Sequence, residues 1–275
     1  MAKVLGIVAG QGQFPVLVAR GAREQGYSIA MIGLDGNVDP DTRREADVYT
    51  TINVGQLGKL IDFMHKQGAA EVCFAGAVKK PKALDVRPDM RTVKLFFSLR
   101  SRGDDSLLRS IAGELDKEGL KVISASRFAP SLLAPSGVQT SRSPTAEEWE
   151  EIRFGWPVAQ ALGRMDIGQT IVVCEKIVVA VEALEGTDAA LERAGKLRNR
   201  GCVAIKIFKP GQDSRMDQPA MGPKTLSIMA AHGYICLAYQ ARDALFFDLD
   251  LAVSIADAAN IAIVGLSPDG ELVDS

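Results

Sequence analysis

A charged loop in the second half of the chain contains the residues with the clearest potential for chemistry. It runs from Lys206 to Pro219 with the sequence KIFKPGQDSRMDQP, so that two lysines, an arginine and two aspartates lie between proline and glycine residues. Opposite charges are costly to gather in a stiff loop for packing alone, and loops on a rigid scaffold often carry catalytic groups. The loop is therefore a candidate site for a charged substrate.

The shortage of histidine indicates what kind of chemistry this is. The only histidines are His65 and His232, which nearly excludes a histidine-rich zinc site, and neither is expected to be a catalytic base. Carboxylates without histidine suit a hard cation, above all Mg²⁺, which takes one or two carboxylates together with phosphate oxygens and water. Such a cation, with Lys and Arg, neutralises charge as a phosphoryl group is attacked. The composition therefore favours metal-assisted phosphate chemistry.

A glycine turn near the start of the chain could bind phosphate. Gly10-Gln11-Gly12 follows an apolar run and precedes Pro15, and N–H groups at the start of a helix stabilise a bound anion. A dinucleotide-binding fingerprint would have glycine where Pro15 stands, and Asp35 imitates its ribose-binding acid only in part. Nicotinamide binding, general phosphate binding and a purely structural turn all stay open.

Two further segments are ambiguous on their own. One apolar run ends at Gly76 and is followed by Lys79 and Lys80, which could meet phosphate oxygens at a sheet edge or simply be solvated. The other contains Thr187 and Asp188 at the start of a helical pattern, where capping explains such residues more often than catalysis does.

The elements that must position these residues alternate along the first half. Apolar runs at 4–9, 28–34 and 71–75 predict strands, and a helical pattern covers 57–64. This rhythm predicts βαβ units, and therefore a parallel sheet with helices on its faces.

The second half predicts a mixed α/β domain. Two apolar runs at 170–174 and 177–184, joined at Glu175-Lys176, indicate a hairpin, and helical and strand patterns alternate after it. Between the halves the chain turns to Pro, Ser, Gly and Thr, which is typical of a linker. The predicted organisation is a first domain at 1–130, a linker at 131–145 and a second domain at 146–275.

Composition sets further limits. With 32 basic and 34 acidic residues the net charge is −2, which gives no general attraction for nucleic acid. The four cysteines are scattered in apolar runs, which favours buried, reduced thiols in a cytosolic protein. Because no run is long enough to span a membrane and a short strand follows Lys3, a cytoplasmic location is expected.

Six sequence blocks occur in order along nearly the whole chain. They are GIVAGQG from Gly6, AGAVKKP from Ala75, GDDSLL from Gly103, DIGQ from Asp166, EALEGTD from Glu182, and KPGQD from Lys209 with Arg215 and Asp217 beyond it. Together they resemble the LpxI family, the UDP-2,3-diacylglucosamine pyrophosphatases of lipid A synthesis. The sequence departs modestly from the family's pattern at Gln11 and Lys80.

The resemblance implies a Mg²⁺-dependent hydrolase, cytoplasmic and peripheral to the inner membrane. Its substrate would be UDP-2,3-diacylglucosamine, split by attack of water on the α-phosphorus into UMP and 2,3-diacylglucosamine 1-phosphate. It also implies a Rossmann-like N-terminal half and a distinct C-terminal half, with substrate held between them.

The resemblance places the family's essential aspartate at Asp217. On this basis we expect Asp217, with Asp188, to hold Mg²⁺ or orient water, while Lys206, Lys209 and Arg215 balance the pyrophosphate charge. Other parts of the substrate would be bound by Gly10, Gln11, Gly12, Gly76, Lys79 and Thr187. The acyl chains could lie against Leu95-Phe96-Phe97 or Leu245-Phe246-Phe247, although aromatic runs of this kind more often belong to a core.

Two other functions stay open. A nicotinamide-dependent oxidoreductase would use Gly10, Gly12 and Asp35, against which Pro15 counts. A regulatory or lipid-handling protein would bind a nucleotide sugar without turnover, against which the charged loops at Asp188 and Asp217 count. A homodimer is also plausible for a protein of this size.

Overall fold

In a computed structural model, which describes residues 3–78, 87–99 and 104–272, the chain divides into two units. The first comprises Met1–Ser131 and Asp213–Asp217, and the second comprises Leu132–Gln212 and Gln218–Ser275. A short piece of the charged loop is therefore part of the first unit.

The first unit contains a five-stranded parallel sheet in the order β3-β2-β1-β4-β5. Its strands are β1 (Lys3–Ala9), β2 (Tyr27–Leu34), β3 (Val48–Ile52), β4 (Glu71–Ala75) and β5 (Lys121–Val122). Its helices are α1 (Phe14–Glu24), α2 (Leu57–Lys66), α3 (Met90–Ser98) and α4 (Asp104–Lys117). Strand β1 pairs with β2 on one side and with β4 on the other. The order of the strands along the chain therefore reverses between β1 and β4, and ligands of such sheets bind at the carboxyl ends of the strands at this point.

Side chains on both faces of this sheet are buried. Val8 and Ile32 pack in one core cluster with residues of α2 and α4, whereas the alternate residues Ile7 and Met31 are also fully buried and α1 packs on β1 and β2. Burial on two faces explains why these strands are continuous apolar runs without polar alternation.

The second unit is built on a six-stranded mixed sheet in the order β6-β13-β11-β9-β7-β8. Three central strands are parallel, and antiparallel pairs flank them. The strands of this sheet are β6 (Gly137–Val138), β7 (Thr170–Cys174), β8 (Ile177–Val181), β9 (Val203–Lys206), β11 (Cys236–Gln240) and β13 (Ala262–Leu266). The remaining elements are the parallel pair β10 (Ala220–Met221) and β12 (Leu245–Phe246), with α5 (Ala146–Arg164), α6 (Thr187–Leu197), α7 (Pro223–Ala231) and α8 (Leu249–Ala258).

These sheets confirm the predicted fold class, a parallel N-terminal half and a mixed α/β C-terminal half. The predicted hairpin is β7–β8, and Glu175 and Lys176 both have positive φ, as the favoured two-residue hairpin turn requires. In the first unit β3 was not predicted, because it is only partly buried and its apolar signal is weak. No helix within the described residues is long and apolar enough to cross a membrane.

The stretch expected to be a linker, 131–145, has more structure than its composition indicates. Gly137–Val138 pairs antiparallel with β13, and the hydroxyl of Tyr239 donates to the carbonyl of Pro135. Ala134 is fully buried in the core of the second unit. Proline and glycine suit the short edge strand that this stretch provides, so composition alone could not distinguish it from a connection.

Candidate functional site

A buried polar cluster joins three strands and a helix of the second unit. Lys206 ends β9, Glu182 follows β8, Thr170 begins β7 and Thr187 begins α6. Only 3% of Lys206 and 7% of Glu182 is exposed. Because charged side chains are rarely buried unless they are paired, this burial marks the cluster as unusual.

Thr187 connects the two charges of this cluster. The Lys206 ammonium donates to Thr187 Oγ1 at 2.7 Å, and this hydroxyl donates to Glu182 Oε1 at 3.0 Å. A hydroxyl has one proton, so Thr170, whose Oγ1 lies 3.4 Å from that of Thr187, is the donor in their contact. The second oxygen of Glu182, Oε2, is buried and has no hydrogen-bond partner among the described residues.

The backbone fixes the position of Glu182. Its N–H donates to the carbonyl of Thr170 at 2.8 Å, and Thr170 is the cross-strand partner of Lys206. A side chain at Gly168 would meet the Glu182 carbonyl at 2.0 Å, which explains the glycine. Thr187 and Lys206, each expected as a substrate-binding residue, are thus in direct contact, whereas Glu182 was not expected as a site residue. Its signal in the sequence is an acid directly after the apolar run IVVAV.

Asp188 lies in the first turn of α6, where a carboxylate stabilises the helix dipole. It forms an ion pair with Lys224 of α7 at 2.8 Å, and the side chains are 35% and 82% exposed. Within the described parts of the chain no group of three or more His, Cys, Asp or Glu residues is placed to hold a metal. A metal at Asp188 would therefore need oxygen ligands from substrate or water.

Lys209 is also paired within the second unit. Its ammonium lies 2.6 Å from Asp166 Oδ1, and the lysine side chain is only 12% exposed. Asp166 has a φ of 55°, in the left-handed region that Asp tolerates better than most residues.

The loop from Asp213 to Asp217 is fastened to the first unit. Arg215 donates to both carboxylate oxygens of Asp213, at 2.9 and 2.7 Å, and lies near Asp116 of α4. Met216 is buried in the core beside α2 and α4. Hydrogen bonding from Arg215 holds the pKa of Asp213 below its usual range. The arginine expected to meet phosphate is therefore the residue that anchors this loop, and the exposed Asp217 follows directly after the anchor.

The glycine turn is explained by close packing of two loops. A side chain at Gly10 would meet the carbonyls of Ala77 and Gly76 at 2.5 and 2.7 Å, and one at Gly76 would meet that of Gln11 at 2.6 Å. The N–H groups expected to bind phosphate are used internally. That of Gly10 donates to Ala75, that of Gln11 to Ala77, and that of Gly12 to the carboxylate of Asp39 at 2.7 Å. The expected contact Lys79 lies outside the described residues.

The two aromatic runs have different environments. Leu245 and Phe246 are buried, and Phe246 belongs to the core of the second unit. Leu95 packs on the core of the first unit, whereas Phe96 and Phe97 are 44% and 83% exposed. Of the two runs, Leu95-Phe96-Phe97 is therefore the one with exposed apolar side chains.

Comparison with known proteins gives matches to both units. The model of the LpxI N-terminal domain matches residues 4–132, and that of the LpxI C-terminal domain matches residues 135–264. The UDP-2,3-diacylglucosamine pyrophosphatase LpxI of Caulobacter vibrioides is 34% identical, over 96% of this chain and 98% of that protein.

Solved structures give weaker similarities. An ADP complex of N5-carboxyaminoimidazole ribonucleotide synthetase is 15% identical with a TM-score of 0.29, covering 71% of this chain and 44% of that one. Rhizobium etli pyruvate carboxylase with acetyl coenzyme-A is 12% identical with a TM-score of 0.29, covering 69% and 17%. Scores this low carry no argument about the chain.

Proposed function

The chain belongs to the LpxI family, and we propose that it hydrolyses the pyrophosphate bond of UDP-2,3-diacylglucosamine in lipid A biosynthesis. The carrying observation is the match to the Caulobacter pyrophosphatase, which includes nearly the full length of both proteins. The products would be UMP and 2,3-diacylglucosamine 1-phosphate, formed when water attacks the α-phosphorus.

We assign the first unit's part of the chemistry to Asp217. Its carboxylate is exposed and follows a loop anchored through Arg215 and Met216, so its position is fixed while it stays accessible. A single exposed carboxylate suits Mg²⁺, which binds few protein ligands and keeps waters and phosphate oxygens. Bound there, Mg²⁺ would neutralise charge on the pyrophosphate. Asp188 is proposed for the same role, in exchange for its ion pair with Lys224.

The second unit would contribute positive charge through Lys206 and Lys209 and a hydroxyl through Thr187. Support comes from the buried Lys206–Thr187 contact at the first turn of α6, where the helix dipole also favours an anion. Because the N–H groups of Gly10, Gln11 and Gly12 are used internally, the glycine turn would contribute the Gln11 side chain and a close backbone surface beside Gly76.

The proposal is tested by UMP release from detergent-dispersed UDP-2,3-diacylglucosamine, with Mg²⁺ and with EDTA. We expect activity with Mg²⁺, its loss in EDTA, and a fall of at least about a hundredfold in kcat for Asp217→Asn, a range typical of a lost catalytic charge. Asp62→Asn is the matched control, because Asp62 is an exposed carboxylate on α2 of the same unit.

Each outcome has a distinct meaning. Absence of UMP release by the parent protein overturns the proposed hydrolase function. Activity that persists in EDTA overturns only the proposed dependence on Mg²⁺. A parent-like kcat in Asp217→Asn overturns the proposed role of Asp217. A saturable change in NADH fluorescence on titration with the protein would instead support the nicotinamide-dependent oxidoreductase. Sedimentation velocity tests the predicted homodimer. The predicted peripheral membrane contact requires an exposed surface that can bind lipid.

A further inference from the structure

Helix α3 carries an exposed apolar and basic face on the first unit. Met90, Lys94 and Phe97 follow the i, i+4, i+7 spacing that places residues on one side of a helix. Met90 is 71% exposed and Phe97 is 83% exposed. Single exposed apolar residues are common, whereas here two large ones share one face of a short helix.

The other sides of α3 contact the first unit, so this face points to solvent. Asp89 caps the helix by accepting the N–H of Thr92 at 2.8 Å, and it also accepts the N–H of Gly58 at 2.6 Å. Leu95 packs against the core of the first unit. Arg91 forms ion pairs with Glu114 of α4 and with Glu118, which directly follows that helix. The helix is therefore held by its capping turn and inner side.

The sequence around α3 carries an unusual charge. Between Lys79 and Arg102 there are eight basic residues and two acidic ones. Since the whole chain has 32 basic and 34 acidic residues, the remainder has 24 and 32, a net charge of −8. A segment of net charge +6 thus interrupts an acidic protein. Within it, Asp89 and Arg91 have partners inside the first unit, whereas Arg87 and Lys94 are exposed.

We propose that the face formed by Arg87, Met90, Lys94 and Phe97 docks on an anionic phospholipid bilayer. Met90 and Phe97 would enter the boundary between headgroups and acyl chains, while Arg87 and Lys94 meet lipid phosphates. A bilayer fits better than a second protein, because a stable protein interface buries about 800 Å² on each partner and one nine-residue helix face is much smaller. The inference builds on the proposed membrane contact and is independent of hydrolysis.

The test is sedimentation of the full chain with phosphatidylcholine vesicles, with and without about a third phosphatidylglycerol, at low and high salt. We expect binding to the anionic vesicles only, and weaker binding at high salt. The double variant Met90→Gln/Phe97→Gln should lose about tenfold or more in partitioning, and Lys94→Glu about fivefold or more. Leu251→Gln, an exposed residue of α8 in the second unit, is the matched control and should bind like the parent.

Several results would overturn the proposal. These are no binding by the parent, equal binding to neutral and anionic vesicles, or parent-like binding by the double variant. If the parent is a dimer and the double variant is a monomer, the face mediates self-association instead. If the double variant instead raises KM for detergent-dispersed substrate but binds vesicles normally, the face holds the substrate's acyl chains. UMP release by the parent in detergent is the separate readout of the proposed hydrolysis.

Discussion

Replacing Glu182 with glutamine tests whether this buried carboxylate balances the charge of Lys206. The two hydrogen bonds through Thr187, of 2.7 and 3.0 Å, keep the Lys206 ammonium and Glu182 Oε1 within about 6 Å of each other. At an effective dielectric constant of about 20, unit charges at that separation attract by about 3 kcal/mol. Glutamine keeps the shape but not the charge, so the free energy of unfolding of the second unit should fall by about 3 kcal/mol.

A nearby carboxylate provides the control. Glu185 forms an ion pair with Arg193 in which the side chains are 32% and 47% exposed. Exposed pairs contribute about 0–1 kcal/mol, so Glu185→Gln should lose far less stability than Glu182→Gln. Urea unfolding followed by tryptophan emission is the suitable assay. The chain's two tryptophans, Trp149 and Trp156, both lie on α5, so their emission reports the second unit.

The result that refutes this reasoning is equally clear. If Glu182→Gln is within about 0.5 kcal/mol of the parent, or matches Glu185→Gln, Glu182 does not carry the balancing charge. Thr187→Val provides a second measurement, because it removes the hydroxyl between the two charges and leaves both in place. It should also destabilise the second unit, by about 1–3 kcal/mol.

Two further predictions concern the first unit. Gly10→Ala should destabilise it by about 1–3 kcal/mol in chemical denaturation, since the new methyl group would overlap two carbonyls, whereas Gly113→Ala in α4 meets nothing within 4 Å and should stabilise it by about 0.5–1 kcal/mol; equal effects would contradict the packing argument. Because Arg215 lowers the pKa of Asp213, the stability from this pair is present above the unfolded-state pKa of about 3.9 and is lost as pH falls through the lower folded value. Asp213→Asn should therefore be less stable than the parent at pH 7, as measured by unfolding followed by circular dichroism. The unfolding free energies of the two proteins should converge as the pH falls, and a difference that does not change with pH would contradict the argument.

The fold was largely predictable because burial leaves a local pattern. Strands covered on both faces are continuous apolar runs, as in β1 and β4, and the β7–β8 hairpin has two such runs around a two-residue turn. The pattern weakens where burial is partial, which is why β3 was missed. It fails where composition has two meanings, as in the edge strand at Gly137–Val138 within the expected linker.

The site was less predictable because its contacts are long-range. The spacing of Lys209 gives no sign of Asp166, 43 residues earlier, and nothing near Gly12 indicates that Asp39 takes its N–H. Sequence patterns located the charged residues but not their partners. Lys206 is the instructive case: its place at the end of an apolar strand predicted a site residue, but its relation to Glu182 depends on the antiparallel order of β7, β8 and β9.

Once these partners are known, the charged loops have a different meaning. The sequence presents Lys209, Arg215 and Asp188 as charges available to a substrate, yet each forms an ion pair within its own unit, with Asp166, Asp213 and Lys224. A ligand must compete with these partners, so the free energy of a new contact is reduced by that of the lost one. A single phosphate offers few such exchanges, whereas in the proposed mechanism a pyrophosphate would replace a carboxylate at a lysine and Mg²⁺ would bind the released aspartate. Internal pairing therefore favours a densely charged substrate over simple anions.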